Sequence, residues 1–261
     1  MGDKSLEECV TFAGAMGFDA LEVHTRHLPA DTAIDEADRI RALFEQNQVA
    51  ISSIAAYGNV LTGDREASIA MMKQYVDACT AVGTDVLCAL TGMPVEGKSK
   101  EETIASDFKE VFTPIAEYAA DKGIKIAFEN WFATLIQHFQ QWDAVLEALP
   151  FDNVGFNYDP SHLIWQGIDY IEGVQRYKDH IFHTHAKDTQ IKHDVVAVRG
   201  NQCGEWWNYV IPGFGSVEWG RYIRRLRDVG FDGVLSIEHE DGSFSAEEGL
   251  AKGLQYLRMF A

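Results

Sequence analysis

Four short apolar runs gather polar residues at their C-terminal ends: KIAFENW (125–131), NVGFNYDPSH (153–162), HIFHTHAKD (180–188) and VLSIEHED (234–241). They carry Glu129, Asp159, His185 and Glu238, a set of carboxylates and one imidazole that suits a divalent metal ion. Oxygen donors with a single histidine favour Mn²⁺, Mg²⁺ or Co²⁺, whereas a tetrahedral zinc site more often adds His or Cys. Mn²⁺ is therefore the first choice, with Mg²⁺, Co²⁺ and Zn²⁺ as alternatives. Such an ion can chelate a carbonyl and a neighbouring hydroxyl oxygen and stabilise the enediolate formed when the carbon between them loses its proton. A carboxylate on each side of the substrate can remove that proton and return it elsewhere.

Each of these residues also has a plainer role open to it. Glu129 can be a strand-end carboxylate paired with a lysine, Asp159 before Pro160 a turn or helix cap, and His185 a hydrogen-bonded core histidine. Glu238 has rivals in Glu240 and Asp241, and strand alternation puts Glu238 and Glu240 on the same side. Four unrelated accidents at four strand ends are less economical than one metal site.

Positioning such a set requires strands. The candidates are Ala20 to His24, Val49 to Ala55, Asp85 to Leu90, Lys125 to Glu129, Asn153 to Tyr158, His180 to His185 and Val234 to Glu238. Helical stretches precede and separate them, such as Lys4 to Met16, Asp64 to Val82 and Val217 to Val229. In the second of these Ile69, Met72, Val76, Cys79 and Val82 recur as on a buried helix face. Alternating strands and helices imply parallel β-strands with right-handed crossovers. Ligands on four well-separated strands favour a closed α/β barrel over an open sheet, because barrel strands aim their C-terminal ends at one axial site. The length fits one such domain, residues 1–261, since about 250 residues is typical of the fold. A closed eight-stranded barrel needs one strand more than is legible, and the first strand is expected to be missing before residue 1. The stretch 189–214 shows little periodicity and is long for a loop. It reads as a lid carrying Arg199, Trp206, Trp207 and Tyr209.

Lys and Arg number 22 against 40 Asp and Glu, for a net charge of −18. Such a surface repels phosphate backbones, so nucleic acid is not an expected partner. Cys9, Cys79, Cys88 and Cys203 are scattered without a CxxC pair, which indicates neither a disulfide framework nor a thiolate zinc site. No apolar run approaches the roughly 18 residues needed to span a bilayer, and the acidic start MGDKSLEEC is unlike a secretory signal. No membrane association and a cytoplasmic location are the expectations.

Taken together in order and spacing, GFDALEVH, AFENW, DPSH, HTHAKD, IPGFG and FDGVLSIEHED resemble the sugar phosphate isomerase/epimerase family, the xylose-isomerase-like TIM barrels, from about Leu6 onward. Ketose 3-epimerases and inosose dehydratases are among its members. The resemblance implies a (β/α)8 barrel with one metal held by Glu129, Asp159, His185 and Glu238, and it selects Glu238 over Glu240. It also implies that Glu129 and Glu238 are acid/base groups as well as ligands, and that His162 hydrogen-bonds a substrate oxygen. Lys187 can hold a substrate hydroxyl, carboxylate or phosphate, or form a solvated surface pair with Asp188. Trp131, Trp165, Trp206 and Trp207 can wall the substrate, since aromatic faces stack on the C–H faces of sugars, and Arg199 joins them as a substrate-binding candidate. His183 shares a strand face with His185 and reads as packed support, and His24 as a further pocket-lining candidate. The Gly-x-Gly of IPGFG is either a phosphate-binding turn or an ordinary one.

The leading expectation is a metal-dependent isomerase or epimerase acting through an enediolate on a keto or aldo sugar. The sugar is expected to be unphosphorylated, for want of a clear Arg/Lys cluster. The alternative is a lyase or dehydratase on an oxidised sugar, an inosose or a 3-oxo-glycoside. For C-glycoside cleavage the resemblance admits a small partner subunit, and for the family in general a homo-oligomer. Endonuclease IV-like DNA repair, which shares the barrel, is a remote alternative that needs a zinc cluster and a basic groove this acidic chain lacks.

Overall fold

The computed structural model describes residues 1–261. The chain divides into two compact units, Met1–Tyr158 with His180–His183, and Asp159–Asp179 with Thr184–Ala261.

In the first unit the strands β1 (Ala20–His24), β2 (Ala50–Ala56), β3 (Val86–Ala89), β4 (Lys125–Glu129), β5 (Val154–Tyr158) and the first residues of β6 (Ile181–Ala186) lie side by side in sequence order. The pairs β1–β2, β2–β3, β3–β4 and β4–β5 are parallel. Strands β3 to β5 are buried along nearly their whole length, as expected of a sheet covered on both faces. The helix Leu6–Met16 starts at a reciprocal cap in which Ser5 Oγ accepts from Glu8 N–H and Glu8 accepts from Ser5 N–H, and it stops at Gly17 with φ 80°. The helix Arg65–Val82 buries Met72, Val76, Cys79 and Val82 of the face read from the sequence and leaves Ile69 half-buried.

Two packing devices fix β4 and β5. Phe108, Phe112 and Phe128 form an aromatic cluster with ring centroids 4.8 to 5.4 Å apart. Trp142 packs its ring 4.6 Å from Phe156 and 5.4 Å from Tyr158. Gly155 allows the closest approach, since a Cβ there would lie 2.1 Å from the His180 carbonyl oxygen.

The second unit begins where β5 ends. It contains the end of β6, the hairpin strands β7 (Asp188–Ile191) and β8 (Trp207–Val210), and β9 (Ser236–Ile237), which pairs parallel with β6 through His185↔Ser236 and Ala186↔Ile237. The sequence pattern predicts five residues for this last strand, Val234 to Glu238, and two are found. The Val234 carbonyl accepts from the Thr184 hydroxyl at 2.6 Å, and pairing with β6 begins at Ser236. Glu238 therefore stands just beyond the strand.

The segment 189–214, expected to lack regular structure, is ordered. Strands β7 and β8 pair antiparallel, and the helix His193–Arg199 sits in their connection. Asp188 anchors this hairpin. Its fully buried carboxylate accepts from the backbone N–H groups of Thr189 (2.8 Å), Val217 (2.9 Å), Gly213 (3.1 Å) and Gly215 (3.3 Å) and from Trp219 Nε1 (2.9 Å). The phosphate reading of IPGFG is thereby corrected, because the amides that would cradle a phosphate already hold a carboxylate of the same chain. A Cβ at Gly215 would lie 2.2 Å from Asp188 Oδ1, which explains that glycine. The helix Trp219–Asp228 follows and buries Trp219, Ile223 and Leu226 as expected. No helix is long and apolar enough to cross a membrane.

Gly155→Ala is expected to cost ~1–3 kcal/mol by overpacking, read as a lowered melting temperature; an unchanged melt would show that the Gly155–His180 approach has slack. Asp188→Ala strands five donors, and the three buried ones, from Thr189, Val217 and Trp219, each cost about 1–3 kcal/mol without a partner. Native-state hydrogen exchange should then accelerate at Gly213, Gly215 and Val217, and unaltered protection there would remove the anchoring role.

Candidate functional site

Asp159 follows the last residue of β5 and is completely buried. Its Oδ1 accepts from the Ser161 backbone N–H at 2.8 Å, so the turn role considered for it is real. The same bond turns Oδ2 toward His162 Nε2 (3.5 Å) and Lys187 Nζ (3.4 Å). His185, on β6 and 2% exposed, has Nδ1 3.3 Å from Glu238 Oε2. One ligand atom from each of Asp159, His185 and Glu238 lies within 4.8 Å of the others. Two carboxylates and an imidazole at this spacing fit a hard divalent ion.

Lys187 brings an ammonium among these residues. It is 1% exposed, so the solvated surface pair considered for Lys187 and Asp188 is corrected, and both side chains are internal. Its ammonium lies 2.6 Å from Glu238 Oε2 and 3.4 Å from both Asp159 Oδ2 and Glu240 Oε1. One cation thus faces three carboxyl groups, and the surplus of negative charge favours a further cation. Burial holds the Glu240 carboxyl above its usual range, against the pull of Lys187.

His162 is not a surface residue. It is 1% exposed on the short helix Ser161–Ile164, and its Nδ1 lies 2.6 Å from the Tyr209 hydroxyl. An aromatic group stands beside it. Trp165 and Trp207 stack with centroids 4.5 Å apart and planes 11° apart, Trp206 meets Trp165 edge-on at 6.2 Å, and Tyr209 meets Trp207 at 4.9 Å. Three of the four tryptophans proposed as walls are therefore together. Arg199 is apart from them. It ends the hairpin helix with a half-exposed side chain facing Glu205 at 3.4 Å.

In the first unit, Glu129 closes β4 and is buried. Trp131 lies two residues on, half-buried and edge-on to Phe132. His24 accepts from the Arg26 N–H at 3.0 Å and meets the Tyr57 ring edge-on. His183 belongs to a closed polar ring that the sequence did not reveal. Its Nδ1 lies 3.0 Å from Asn157 Oδ1, Asn157 Nδ2 donates to Tyr57 Oη (2.9 Å), Tyr57 donates to Glu22 Oε1 (2.8 Å), and Glu22 Oε2 lies 3.4 Å from His183 Nε2. A register shift between Leu21 and Glu22 leaves Ser52 as an extra residue in β2. The resulting bulge lets Ser52 and Ser53 both reach His183 Nε2, at 3.3 and 3.4 Å.

Tyr209 was read as part of the lid segment but not as a residue of the site. Its signal was present, because the alternation of WNYV puts Trp207 and Tyr209 on one face once the segment is read as a strand.

The inosose dehydratase of Geobacillus thermodenitrificans (strain NG80-2) is 23% identical to this chain over 279 residues, covering 98% of this chain and 90% of that protein. Among solved structures, D-psicose 3-epimerase in the presence of D-fructose is similar with a TM-score of 0.78 at 16% identity, over 99% of this chain and 94% of that one. The IOLI protein with a binding zinc atom is similar with a TM-score of 0.77 at 22% identity, over 99% and 95%. The sequence profile of the xylose isomerase-like TIM barrel family spans residues 10–260, nearly the whole length read here, and the chain belongs to that family.

Proposed function

We propose that the protein is a divalent-metal-dependent enzyme that enolises a keto or aldo sugar, acting as an isomerase or epimerase. The observation that carries this reading is the convergence of Asp159, His185 and Glu238 around an excess of negative charge. The proposal takes Glu129 as the fourth ligand from its place in the family's motif order, and Mn²⁺ as the ion. The zinc bound by the similar IOLI protein supports a bound metal and leaves Zn²⁺ as an alternative. When bound, the ion supplies Lewis-acid polarisation of the substrate carbonyl.

The chain's own groups supply the rest. Glu238 can take the proton beside the carbonyl, and the Lys187 ammonium, 2.6 Å away, stabilises the carboxylate until it does. Once Glu238 is protonated it can return the proton, with Glu129 as the second acid/base group. His162 donates to a substrate oxygen. The Trp165–Trp207 stack offers an apolar face to the sugar and keeps water from the enediolate. An unphosphorylated substrate is supported by the Gly213 and Gly215 amides, which are spent on Asp188.

Dehydration is the second reading, favoured by a specific feature. Lys187 places an acid beside the Glu238 base, so a neighbouring hydroxyl can be protonated as it leaves the enolate. The similarity to an inosose dehydratase over 98% of the chain supports the same alternative.

Ketoses and inososes incubated with Mn²⁺-loaded protein in D₂O should take up deuterium at a carbon next to the carbonyl, detected by proton NMR and abolished by a chelator. The product then separates epimerisation from dehydration, and equal spectra with and without chelator for every substrate would sink the proposal. Glu238→Gln should lower exchange by about 10²-fold or more and reduce bound metal measured by elemental analysis. Glu240→Gln should keep its metal. Full exchange in Glu238→Gln with unchanged metal content would reassign the site.

A further inference from the structure

Glu238 stands where the sheet has run out. β9 ends at Ile237, and the Glu238 N–H reaches the Ala186 carbonyl oxygen only at 3.4 Å. Side chains past that point are aimed by contacts other than a ladder. Glu238 and Glu240 turn to Lys187, at 2.6 and 3.4 Å. Ile237, His239 and Asp241, the residues on either side of each, are engaged elsewhere in the second unit.

The helix Ala246–Leu257 supplies one engagement. It buries Gly249 and Gly253, which are four residues apart and therefore share a face. A Cβ at Gly253 would lie 3.3 Å from Ile237 Cδ1 and Cγ2, and one at Gly249 would lie 2.4 Å from His239 Cδ2 and 2.6 Å from its Nε2. A glycine inside a helix costs about 1 kcal/mol relative to alanine. At position 249 it gives the imidazole a seat against the helix that a methyl group would fill.

Asp241 supplies the second engagement. It is 4% exposed, its Oδ2 accepts from the Ile211 N–H at 3.2 Å and its Oδ1 from the Ser243 N–H at 2.8 Å. Of the three acids in this segment, Asp241 is the one spent on the main chain. Ile211 follows β8 directly, and its Cδ1 would lie 3.1 Å from the same Cβ at Gly249. The two engagements thus meet at Ile211.

We infer that Asp241 and Gly249 are positioning residues for Glu238: by holding residues 239 and 241 against the helix and the end of β8, they turn Glu238 and Glu240 toward Lys187 before any ion binds. The consequence for metal binding and proton transfer rests on the proposed function, whereas the anchoring does not.

The test is calorimetric titration of Mn²⁺ into the metal-free protein, well below the melting temperature of each variant. Gly249→Ala and Asp241→Ala should each bind the ion about tenfold more weakly than the wild type, the loss typical of groups that orient a metal ligand. Gly249→Ala alters no charge, so its loss reports position alone. At saturating Mn²⁺ both variants should lower kcat for deuterium exchange into a turned-over substrate with little change in KM. Wild-type affinity in either folded variant overturns the inference. Hydrogen exchange of the metal-free wild type decides even if neither variant folds: the Ile211 and Ser243 amides should already be protected and Mn²⁺ should leave them unchanged, and protection that appears only with the ion overturns the inference. A wild type that binds none of Mn²⁺, Mg²⁺, Co²⁺ and Zn²⁺ removes the proposed function, while protection of those two amides still upholds the anchoring.

Discussion

The Lys187 ammonium is inside the protein, and it can stay there only because carboxylates surround it. Taking such an ion out of water costs several kcal/mol unless opposite charge and hydrogen bonds replace the solvent. Glu238 at 2.6 Å, with Asp159 and Glu240 farther off, provides that replacement. The exchange also fixes the acids. Asp159 and Glu238 would repel one another without a cation among them, and Lys187 holds them at separations that still leave the cluster negative. The requirement to bury one lysine thus constrains the directions of the residues with the chemistry.

The neighbouring residue turns this local balance into architecture. Consecutive side chains on extended chain point opposite ways, so Lys187 enters the charged cluster while Asp188 faces the hairpin and the turn after it. There its carboxylate satisfies four backbone N–H groups and one indole. Its removal from water raises its pKa despite these bonds. The same dipeptide therefore organises the acids and secures the strand that presents Trp207 and Tyr209. A disturbance at Asp188 would reach His162 through Tyr209 without touching any proposed ligand.

Much of the fold was legible because its strands are apolar runs bounded by polar ends, and their sequence order is their spatial order in the first unit. Asp159 and His185 were legible for the same reason. What escaped was information carried by contacts distant in sequence. Each strand of the hairpin is four residues long, too short for a period of two to stand out, and the pairing of Thr189 with Tyr209 spans the helix between them. A solvated pair stayed open as an alternative for Lys187 and Asp188 because adjacent opposite charges are usually exposed. Glu238 and Glu240 could not be separated by alternation, since β9 stops at Ile237 and the rule no longer applies beyond it.

The two histidines of β6 show why residue type alone assigns no role. His183 and His185 share a strand face, and both are almost fully buried. His183 is enclosed by Asn157, Glu22 and the serine hydroxyls at the β2 bulge, a set that offers a donor or acceptor to each ring nitrogen. A polar network satisfied in this way specifies a unique packing. His185 instead faces Glu238, a carboxylate that Lys187 also engages. A group whose counter-charge is shared, within a cluster that keeps an excess of negative charge, is suited to gaining a partner. A group inside a closed ring is suited to holding its strand. The first is a candidate for function and the second for support, and the difference comes from what the neighbouring strands bring to each nitrogen.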